Sequence, residues 1–401
     1  MTMKVRALLV ATVMLAEMWL VGCGHYTCGT TFGSSSCTPG GKGVSQGGGP
    51  SNSVTTLGYF VDFTQAGTNT GGMALQKLDS NAGTFISVSS FLPPALPHFP
   101  TGLEIVNQSS MYVPSSDGEL FAYTIDLPTG NLTSAATPYT VAGGDSIASS
   151  PSGNLLFVGD TAGQRISVFT VNADSTLTVV AGSPFATSGV SPRVMATDGQ
   201  GKFLYATSGQ GSAQMAAFSI GSGGTLTAVT GSPFSSIAAE IAGEASGKYL
   251  FGITEQVTDN HVYVFSIGSS GLLTLVGSPT LTSGTPRNLS VHPNGKWVYA
   301  LNEDQVLGTI EPVEGFELDA STGALTPLTG SPFANLLANG GPIEPTGHFM
   351  FGLGLVHING APVSAVTPYT IDQTTGALTS TIESEGFPGI DQAAYAVTNV
   401  Q

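Results

Sequence analysis

The chain has 401 residues, and its 10 lysines and arginines face 26 aspartates and glutamates, which gives a formal net charge of −16. This acidic balance excludes nucleic acid as the main partner, because binding phosphates requires clustered cations. Charged residues make up only 9% of the chain while 41% are apolar and 54 are glycine, which excludes a disordered chain or a coiled coil and favours a turn-rich, all-β, exported protein.

The N-terminus has the layout of an export signal. A cationic start and an apolar run lead to Leu20-Val21-Gly22-Cys23, which fits the bacterial lipobox, in which the cysteine is acylated and becomes the first residue. We expect residues 1–22 to be a lipoprotein signal peptide and Cys23 to carry the lipid, with an ordinary cleaved signal as the alternative. Gly24 follows the cysteine where an aspartate would favour the inner membrane. The sequence therefore predicts a protein of the cell envelope, anchored to the outer membrane through its lipid alone.

Residues 23–53 are predicted to form a flexible tether, because glycine and serine dominate this stretch. Cys28 and Cys37 lie within it. In an oxidising compartment they are predicted to form a disulfide or to remain free thiols, since two cysteines without a nearby histidine are a weak metal signal. No metal site and no cofactor are predicted for the chain.

From residue 54 onward the chain repeats itself. A segment of the form Gly-x-Leu-Thr, with small variations, returns at intervals of 45 to 53 residues. Its third residues are Phe85, Leu132, Leu177, Leu226, Leu273, Leu325 and Leu378. Seven such marks at this spacing match the blade length of a β-propeller.

Each repeat has the parts of a four-stranded blade. A tight turn such as Pro293-Asn294-Gly295-Lys296 joins the first two strands, and the third strand shows period-2 alternation. An Asp-x-x-x-Gly turn, beginning at Asp126, Asp319 and Asp372, precedes the fourth strand, and we expect each aspartate to cap its turn. The fourth strand often ends in Ser-Pro-Phe; the proline is expected to end strand pairing and the phenylalanine to pack between blades.

The two ends of the repeat region complement one another. The first repeat lacks a full leading strand, whereas residues 389–400 resemble the opening strands of a further repeat. The C-terminal segment is therefore expected to complete the first blade and close the ring. The sequence predicts an all-β, seven-bladed β-propeller over residues 54–401, with four antiparallel strands per blade.

The sixth repeat carries the most informative segment. Residues 284–303 resemble the signature of the seven-bladed lactonase propellers, a family that includes the bacterial type of 6-phosphogluconolactonase and the fungal muconate-lactonising enzyme. The Ser-Pro-Phe and Thr-Gly-Ala-Leu-Thr segments are similar to that family as well, and the resemblance covers residues 54–401. The alternative is the related group of surface-layer and quinoprotein-like propellers without known catalysis. The resemblance implies that Arg287 and Glu303 belong to an active site.

The chemistry of these two residues suits lactone hydrolysis. Arg287 and Glu303 lie equally far from Gly295 in the sequence, so a regular hairpin would place them opposite each other at one mouth of the channel. An arginine stabilises the oxyanion formed when a lactone carbonyl is attacked, and a glutamate accepts a proton from water. A structural ion pair requires the same two residues and is the alternative.

The chain departs from the family pattern in its histidines. Asn288 stands where the family has a histidine after the arginine, and Ala238-Ala239-Glu240 replaces another histidine one blade earlier. His292 and His348 fall in or beside inner turns on the opposite face, where solvated turn residues are expected. His98 is the one histidine predicted to lie on the same face as Arg287.

The charges at the predicted mouth indicate what charge its ligand should have. Arg193 occupies the position equivalent to Arg287, and Glu240 and Glu255 add negative charge. Arg193, Glu255, Glu240, His98 and Asn288 are the predicted substrate-binding residues. Two arginines are few for a phosphosugar, so a neutral or cationic small ligand fits better.

The sequence leaves two hypotheses open. One is an exported lactone hydrolase acting on an unphosphorylated sugar or other lactone, and the other is a non-catalytic surface lipoprotein that binds a glycan, peptide or protein partner.

Overall fold

The computed structural model describes most of the repeat region. The described residues are 56–62, 72–79, 84–86, 98–209, 214–236, 238–254, 256, 258–302, 312–333, 341–358, 361–380, 385–387 and 393–399. The signal peptide, Cys23, the tether with Cys28 and Cys37, Glu255 and Glu303 all lie outside these ranges. Every regular element in the described residues is a β-strand, and no helix there is long and apolar enough to cross a membrane.

The strands form seven antiparallel sheets, which are the seven predicted blades. Blade one contains β1 (Thr56–Asp62), β2 (Gly72–Asp79), β3 (Thr84–Ile86) and the last strand, β32 (Ala393–Asn399). Blade two contains β4 (Glu104–Val106), β5 (Ser110–Pro114), β6 (Glu119–Asp126), β7 (Asn131–Ser134) and β8 (Tyr139–Thr140). Blade three contains β9 (Ser146–Ser149), β10 (Leu155–Asp160), β11 (Arg165–Val171), β12 (Leu177–Val179) and β13 (Phe185–Ala186). Blade four contains β14 (Val194–Thr197), β15 (Phe203–Thr207), β16 (Gln214–Ile220), β17 (Leu226–Ala228) and β18 (Phe234–Ser235).

The remaining three blades follow the same plan. Blade five contains β19 (Glu240–Gly243), β20 (Tyr249–Ile253), β21 (His261–Ile267), β22 (Leu273–Leu275) and β23 (Thr280–Leu281). Blade six contains β24 (Pro286–Val291), β25 (Trp297–Asn302), β26 (Val313–Leu318) and β27 (Leu325–Pro327). Blade seven contains β28 (Phe349–Ile358), β29 (Ala361–Ile371), β30 (Leu378–Thr379) and β31 (Glu385–Phe387). An isolated bridge between Ile343 and Met350 marks the inner edge of blade seven.

The predicted closure of the ring is confirmed. Strand β32 pairs antiparallel with β1, with Tyr59 opposite Ala396, and so takes the innermost position of blade one. The innermost strands then contact one another in order, from β32 through β4, β9, β14 and β19 to β24. Closure removes the open sheet edge that a seven-blade ring would otherwise expose.

The outer strand differs from the prediction. The proline of Ser-Pro-Phe interrupts the fourth strand, but pairing resumes at the phenylalanine, so that Phe185 opposes Ile166 in blade three. Phe234 pairs with Met215 in the same way, and Phe333 forms a bridge to Val313. The reason is that β12 and β13 both pair with β11, as two halves of one outer strand. Pairing therefore stops only locally at the proline.

The hydrophobic core lies between neighbouring blades. One cluster joins Phe157 and Val168 of blade three to Leu204 and Phe218 of blade four, and Phe185 packs against it. A second joins blades six and seven and includes Phe333. Both contacts confirm the prediction that the phenylalanine of Ser-Pro-Phe packs between blades. Alternating strand residues thus bury both faces of a blade.

The aspartate turns behave as predicted. The carboxylate of Asp319 accepts hydrogen bonds from the backbone N–H groups of Ser321 (2.8 Å) and Thr322 (3.1 Å). Gly323 then has a φ of 77°, a conformation that costs glycine little. The hydrogen bonds lower the pKa of Asp319 to about 2, so the carboxylate stays ionised as a cap.

Candidate functional site

The mouth of the channel is formed where the innermost strands begin. Arg193 and Arg287 occupy equivalent positions there, two blades apart. The backbone N–H of Arg193 donates to Thr207 O (2.9 Å) just before Val194 pairs with Thr207, and Arg287 immediately precedes Asn288, which pairs with Leu301. Arg193 is exposed and Arg287 is half-buried. The mouth therefore carries two arginines in different environments.

Arg287 lies in a β-bulge, which a regular hairpin around Gly295 would not contain. The ladder runs regularly from Val291 opposite Val298 to Asn288 opposite Leu301, and then shifts so that Pro286 opposes Asn302. Arg287 is the extra residue at this shift. Bulges re-aim a side chain and are common beside functional sites. The expected placement of Arg287 directly opposite Glu303 in a regular hairpin is therefore wrong in its register.

A buried carboxylate joins the two segments that flank Arg287. Glu314 is 7% exposed, and its Oε1 accepts hydrogen bonds from the backbone N–H of Ser283 (2.5 Å) and from the Ser283 hydroxyl (2.8 Å). The same oxygen accepts a bond from Asn302 Nδ2 (3.2 Å), which also donates to Pro312 O (2.9 Å). Glu314 therefore fixes the loop that enters β24 and the end of β25. Comparison of the repeats could not reveal it, because blade six alone places an acid at this position.

Glu240 begins the innermost strand of blade five, next to β24. Its position in the blade is that of Ser146 in blade three, whose hydroxyl donates to Pro192 O of the following blade (2.5 Å). The strand that Glu240 begins, β19, contacts β24 of blade six. Atoms Oε2 of Glu240 and Nε of Arg287 are both buried.

The other predicted site residues are distributed around the mouth. His98 is exposed on the segment that enters blade two, and its backbone carbonyl accepts a hydrogen bond from the Ser115 hydroxyl. Asn288 is half-buried on β24 beside Arg287. The structure thus brings together Arg287, Asn288 and, on the innermost strand of the neighbouring blade, Glu240. It leaves His98 at the entrance to blade two, three blades away by the shorter way around the ring.

His292 is not the solvated turn residue that was expected. It is 2% exposed and packs edge-on against Trp297, with 4.8 Å between ring centroids. Its Nε2–H donates to Gly347 O of blade seven (2.8 Å), and its Nδ1 accepts from the Asn294 N–H (3.1 Å). Burial lowers the pKa of His292. His348 does lie exposed beside its turn, as predicted.

Two further polar groups were missed from the sequence. On blade five, Asp259 accepts hydrogen bonds from Tyr263 Oη (2.9 Å) and from His261 Nδ1 (2.7 Å). On blade two, Glu104 accepts a bond from the Ser149 hydroxyl (2.6 Å). The pattern Asp-x-His-x-Tyr was visible as a signal, whereas Glu104 stands alone in its strand. Among the described residues no group of three or more His, Cys, Asp or Glu side chains is placed to hold a metal ion.

Fold and site together define a seven-bladed β-propeller with a polar, arginine-bearing channel mouth. A family model described as "Lactonase, 7-bladed beta-propeller" matches residues 120–233 and 225–334, which together span just over half of the chain. The chain belongs to this lactonase propeller family. None of the functionally curated proteins matches the sequence.

Solved structures share this fold at low sequence identity. A candidate 6-phosphogluconolactonase from Bacteroides uniformis is 19% identical, with a TM-score of 0.66 over 85% of this chain and 99% of that one. A similar candidate from Bacteroides fragilis is 16% identical, with a TM-score of 0.63 over 88% and 99%. The periplasmic gluconolactonase PpgL of Pseudomonas aeruginosa is 17% identical, with a TM-score of 0.62 over 84% and 99%. At these identities the likeness concerns the fold alone.

Proposed function

We propose that the protein is a lactone hydrolase whose active site lies at the channel mouth of blade six. The observation that carries this proposal is Arg287 itself, which lies in a β-bulge between two segments fixed by Glu314. Membership of the lactonase propeller family supports the reaction class. The fold shared with a periplasmic gluconolactonase is consistent with a sugar lactone.

The proposed mechanism uses an arginine and a glutamate. The Arg287 guanidinium donates hydrogen bonds to the lactone carbonyl oxygen and stabilises the negative charge that develops there. Glu303, which follows Asn302 in the sequence, takes a proton from the attacking water. The water oxygen bonds to the carbonyl carbon, the ring C–O bond breaks, and the proton passes to the departing ring oxygen. The product is a hydroxy acid.

The charges of the mouth favour an unphosphorylated substrate. Arg193 and Arg287 are the cations that the described residues place at the mouth, while Lys202, Lys248 and Lys296 follow inner turns on the opposite face. A phosphate is bound by several converging donors, and the negative Glu240 beside Arg287 opposes a second anion. We propose that Cys23 anchors the enzyme outside the cytoplasm, where unphosphorylated lactones would be its substrates.

Lactone hydrolysis by the full chain tests the proposal. Gluconolactone, 6-phosphogluconolactone and an acyl-homoserine lactone are offered to the wild type, Arg287→Ala and Arg193→Ala. Arg193→Ala is the matched control, since it removes the same side chain at the equivalent position two blades away. We expect gluconolactone to be the best substrate. Loss of the oxyanion donor in Arg287→Ala should lower kcat about 100-fold or more, and Arg193→Ala should act mainly on KM.

The alternative is a non-catalytic propeller that binds a glycan, peptide or protein at the same mouth. The absence of histidine at Asn288 and in the segment Ala238-Ala239-Glu240 is the observation that favours it. If none of the three lactones is hydrolysed faster than in buffer, the non-catalytic binding protein becomes the interpretation in place of the hydrolase. Equal turnover in Arg287→Ala and wild type would show that the active site does not lie at the mouth of blade six.

A further inference from the structure

A carboxyl group lies in the wall of the central channel, apart from the mouth at blade six. Glu104 is the first residue of β4, the innermost strand of blade two, and it pairs across the blade with Tyr112. Its carboxylate accepts the hydrogen bond from Ser149, on the innermost strand of blade three (2.6 Å). The side chain is half-buried. Because both strands border the channel, the part of Glu104 that meets solvent faces the channel.

At the position equivalent to Glu104, two residues before the inner turn, the next four blades carry small uncharged residues. These are Ala148, Ala196 and Ala242 in blades three to five and Ser290 in blade six. Strand β9, against which Glu104 packs, has no ionisable residue. Opposite Glu104, Tyr112 has its pKa raised by burial to about 12 and is neutral.

No cation of the folded region compensates Glu104. From residue 56 onward the chain has seven lysines and arginines, all within the described ranges, and none of them forms an ion pair with Glu104 there. Burial raises the pKa of Glu104 to about 7, and the hydrogen bond from Ser149 opposes that rise. A half-buried carboxylate with one hydroxyl donor gains the most from a ligand that brings a positive charge.

We propose that Glu104 and Ser149 form a binding site in the channel for the ammonium group of an aliphatic amine. The wall accounts for this choice of cation. Calcium takes six to eight oxygen ligands, whereas one carboxylate and one hydroxyl supply far fewer. An ammonium group needs few acceptors and carries an alkyl chain that suits a lining of alanines. The site is distinct from the proposed lactone site and does not depend on it.

Binding at this site is coupled to the proton of Glu104. Only the ionised carboxylate attracts the ammonium ion, so binding should weaken as the pH falls through the pKa of Glu104. About a tenth of the carboxyl is ionised one pH unit below its pKa, so the apparent affinity should fall about tenfold there. By reciprocity, a bound amine lowers the pKa of Glu104.

The test is a titration of the glutamate carboxyl carbons of the full chain by 13C NMR, with and without butylammonium chloride. Glu104→Gln assigns the resonance, and Glu119→Gln is the matched control, because it removes an exposed acid from the same blade. We expect a midpoint near pH 7 that butylammonium lowers. Ser149→Ala should raise the midpoint while binding persists, since it removes the donor that favours ionisation.

The outcomes separate the proposal from its alternatives. A Glu104 midpoint that butylammonium leaves unchanged overturns the site, as does butylammonium binding that survives in Glu104→Gln. Calcium chloride at the same concentration forms a second arm of the experiment. A larger shift of the Glu104 midpoint with calcium than with butylammonium would mean that the site binds a metal ion and not an amine. If Glu104→Gln fails to fold, the resonance is assigned as the one whose midpoint Ser149→Ala raises, and the effect of butylammonium on that midpoint still decides the question.

Discussion

The hydroxyl of Tyr299 in blade six donates a hydrogen bond of 2.8 Å to the carbonyl of Gly376 in blade seven. Gly376 is the positive-φ residue of the turn before the fourth strand. The same bond recurs from Tyr59 to Gly130, from Tyr112 to Ser175 and from Tyr205 to Gly271. In each case the tyrosine belongs to the second strand of one blade and the acceptor to the next blade. These bonds tie neighbouring blades together within an apolar interface.

Removing one of these hydroxyls should destabilise the ring measurably. Tyr299→Phe leaves the Gly376 carbonyl buried without its donor, so the free energy of unfolding should fall by about 1–3 kcal/mol. Denaturant unfolding of the full chain measures the change. Tyr205→Phe is the matched variant in another blade pair, and the double variant should show additive losses because the sites are far apart. An unchanged stability in both single variants would mean that the bonds contribute nothing.

Gly376 is also required for its conformation and its lack of a side chain. Its φ is 72°, and a Cβ there would lie 2.7 Å from Trp297 Cδ2. Gly231→Ala is a matched control, since Gly231 has a φ of 88° and a Cβ added to it would have no atom within 4 Å. The control should lose about 1–2 kcal/mol from the left-handed backbone alone. Gly376→Ala should lose more, by thermal or denaturant unfolding, and equal losses would exclude the steric contribution.

Repetition explains why the fold could be predicted. The Gly-x-Leu-Thr marks recur seven times, and the missing first strand at Leu57 is matched by the extra strand around Tyr395. A feature that occurs in every blade can be recognised from several copies in the sequence, so one irregular copy does not obscure it. The same comparison predicted that Arg193 and Arg287 are equivalent, because each lies the same distance before an inner turn.

Features unique to one blade could not be predicted in this way. The bulge at Arg287 has no marker in its strand, and a ladder assumed to be regular around Gly295 gave the wrong register. His292 looked like a turn residue because Pro293 and Asn294 follow it, yet its ring is buried by Trp297 and blade seven. The contact of Glu104 with Ser149 depends on how the innermost strands of blades two and three pack together, which neither strand's sequence shows.

The buried His292 should make the protein sensitive to acid. Its folded pKa lies below the ordinary value of 6.5, so the unfolded chain binds the proton more tightly. This contribution to stability is complete above about pH 6.5 and is lost as the pH falls through the folded pKa. Unfolding free energies across this range should therefore drop more steeply with acid in the wild type than in His292→Gln. His348→Gln changes an exposed histidine instead and should keep the wild-type slope; an identical slope in all three proteins would contradict the assignment.

Glu314 should position the proposed lactone site without touching the substrate. Its Oε1 binds both the loop before Arg287, through Ser283, and the end of β25, through Asn302. If these bonds hold Arg287 at the oxyanion, Glu314→Ala should lower kcat about tenfold or more with a smaller change in KM, because misplaced groups lose transition-state contacts first. Glu314→Gln keeps an acceptor oxygen and should restore part of kcat.

Glu317→Gln is the control on the same strand. Glu317 pairs with Lys296 at the surface (3.1 Å), so this variant should leave kcat and KM unchanged. Loss of stability in Glu314→Ala with kcat intact would reduce Glu314 to a structural residue, whereas equal turnover in Arg287→Ala would point to a failure of the proposed site itself.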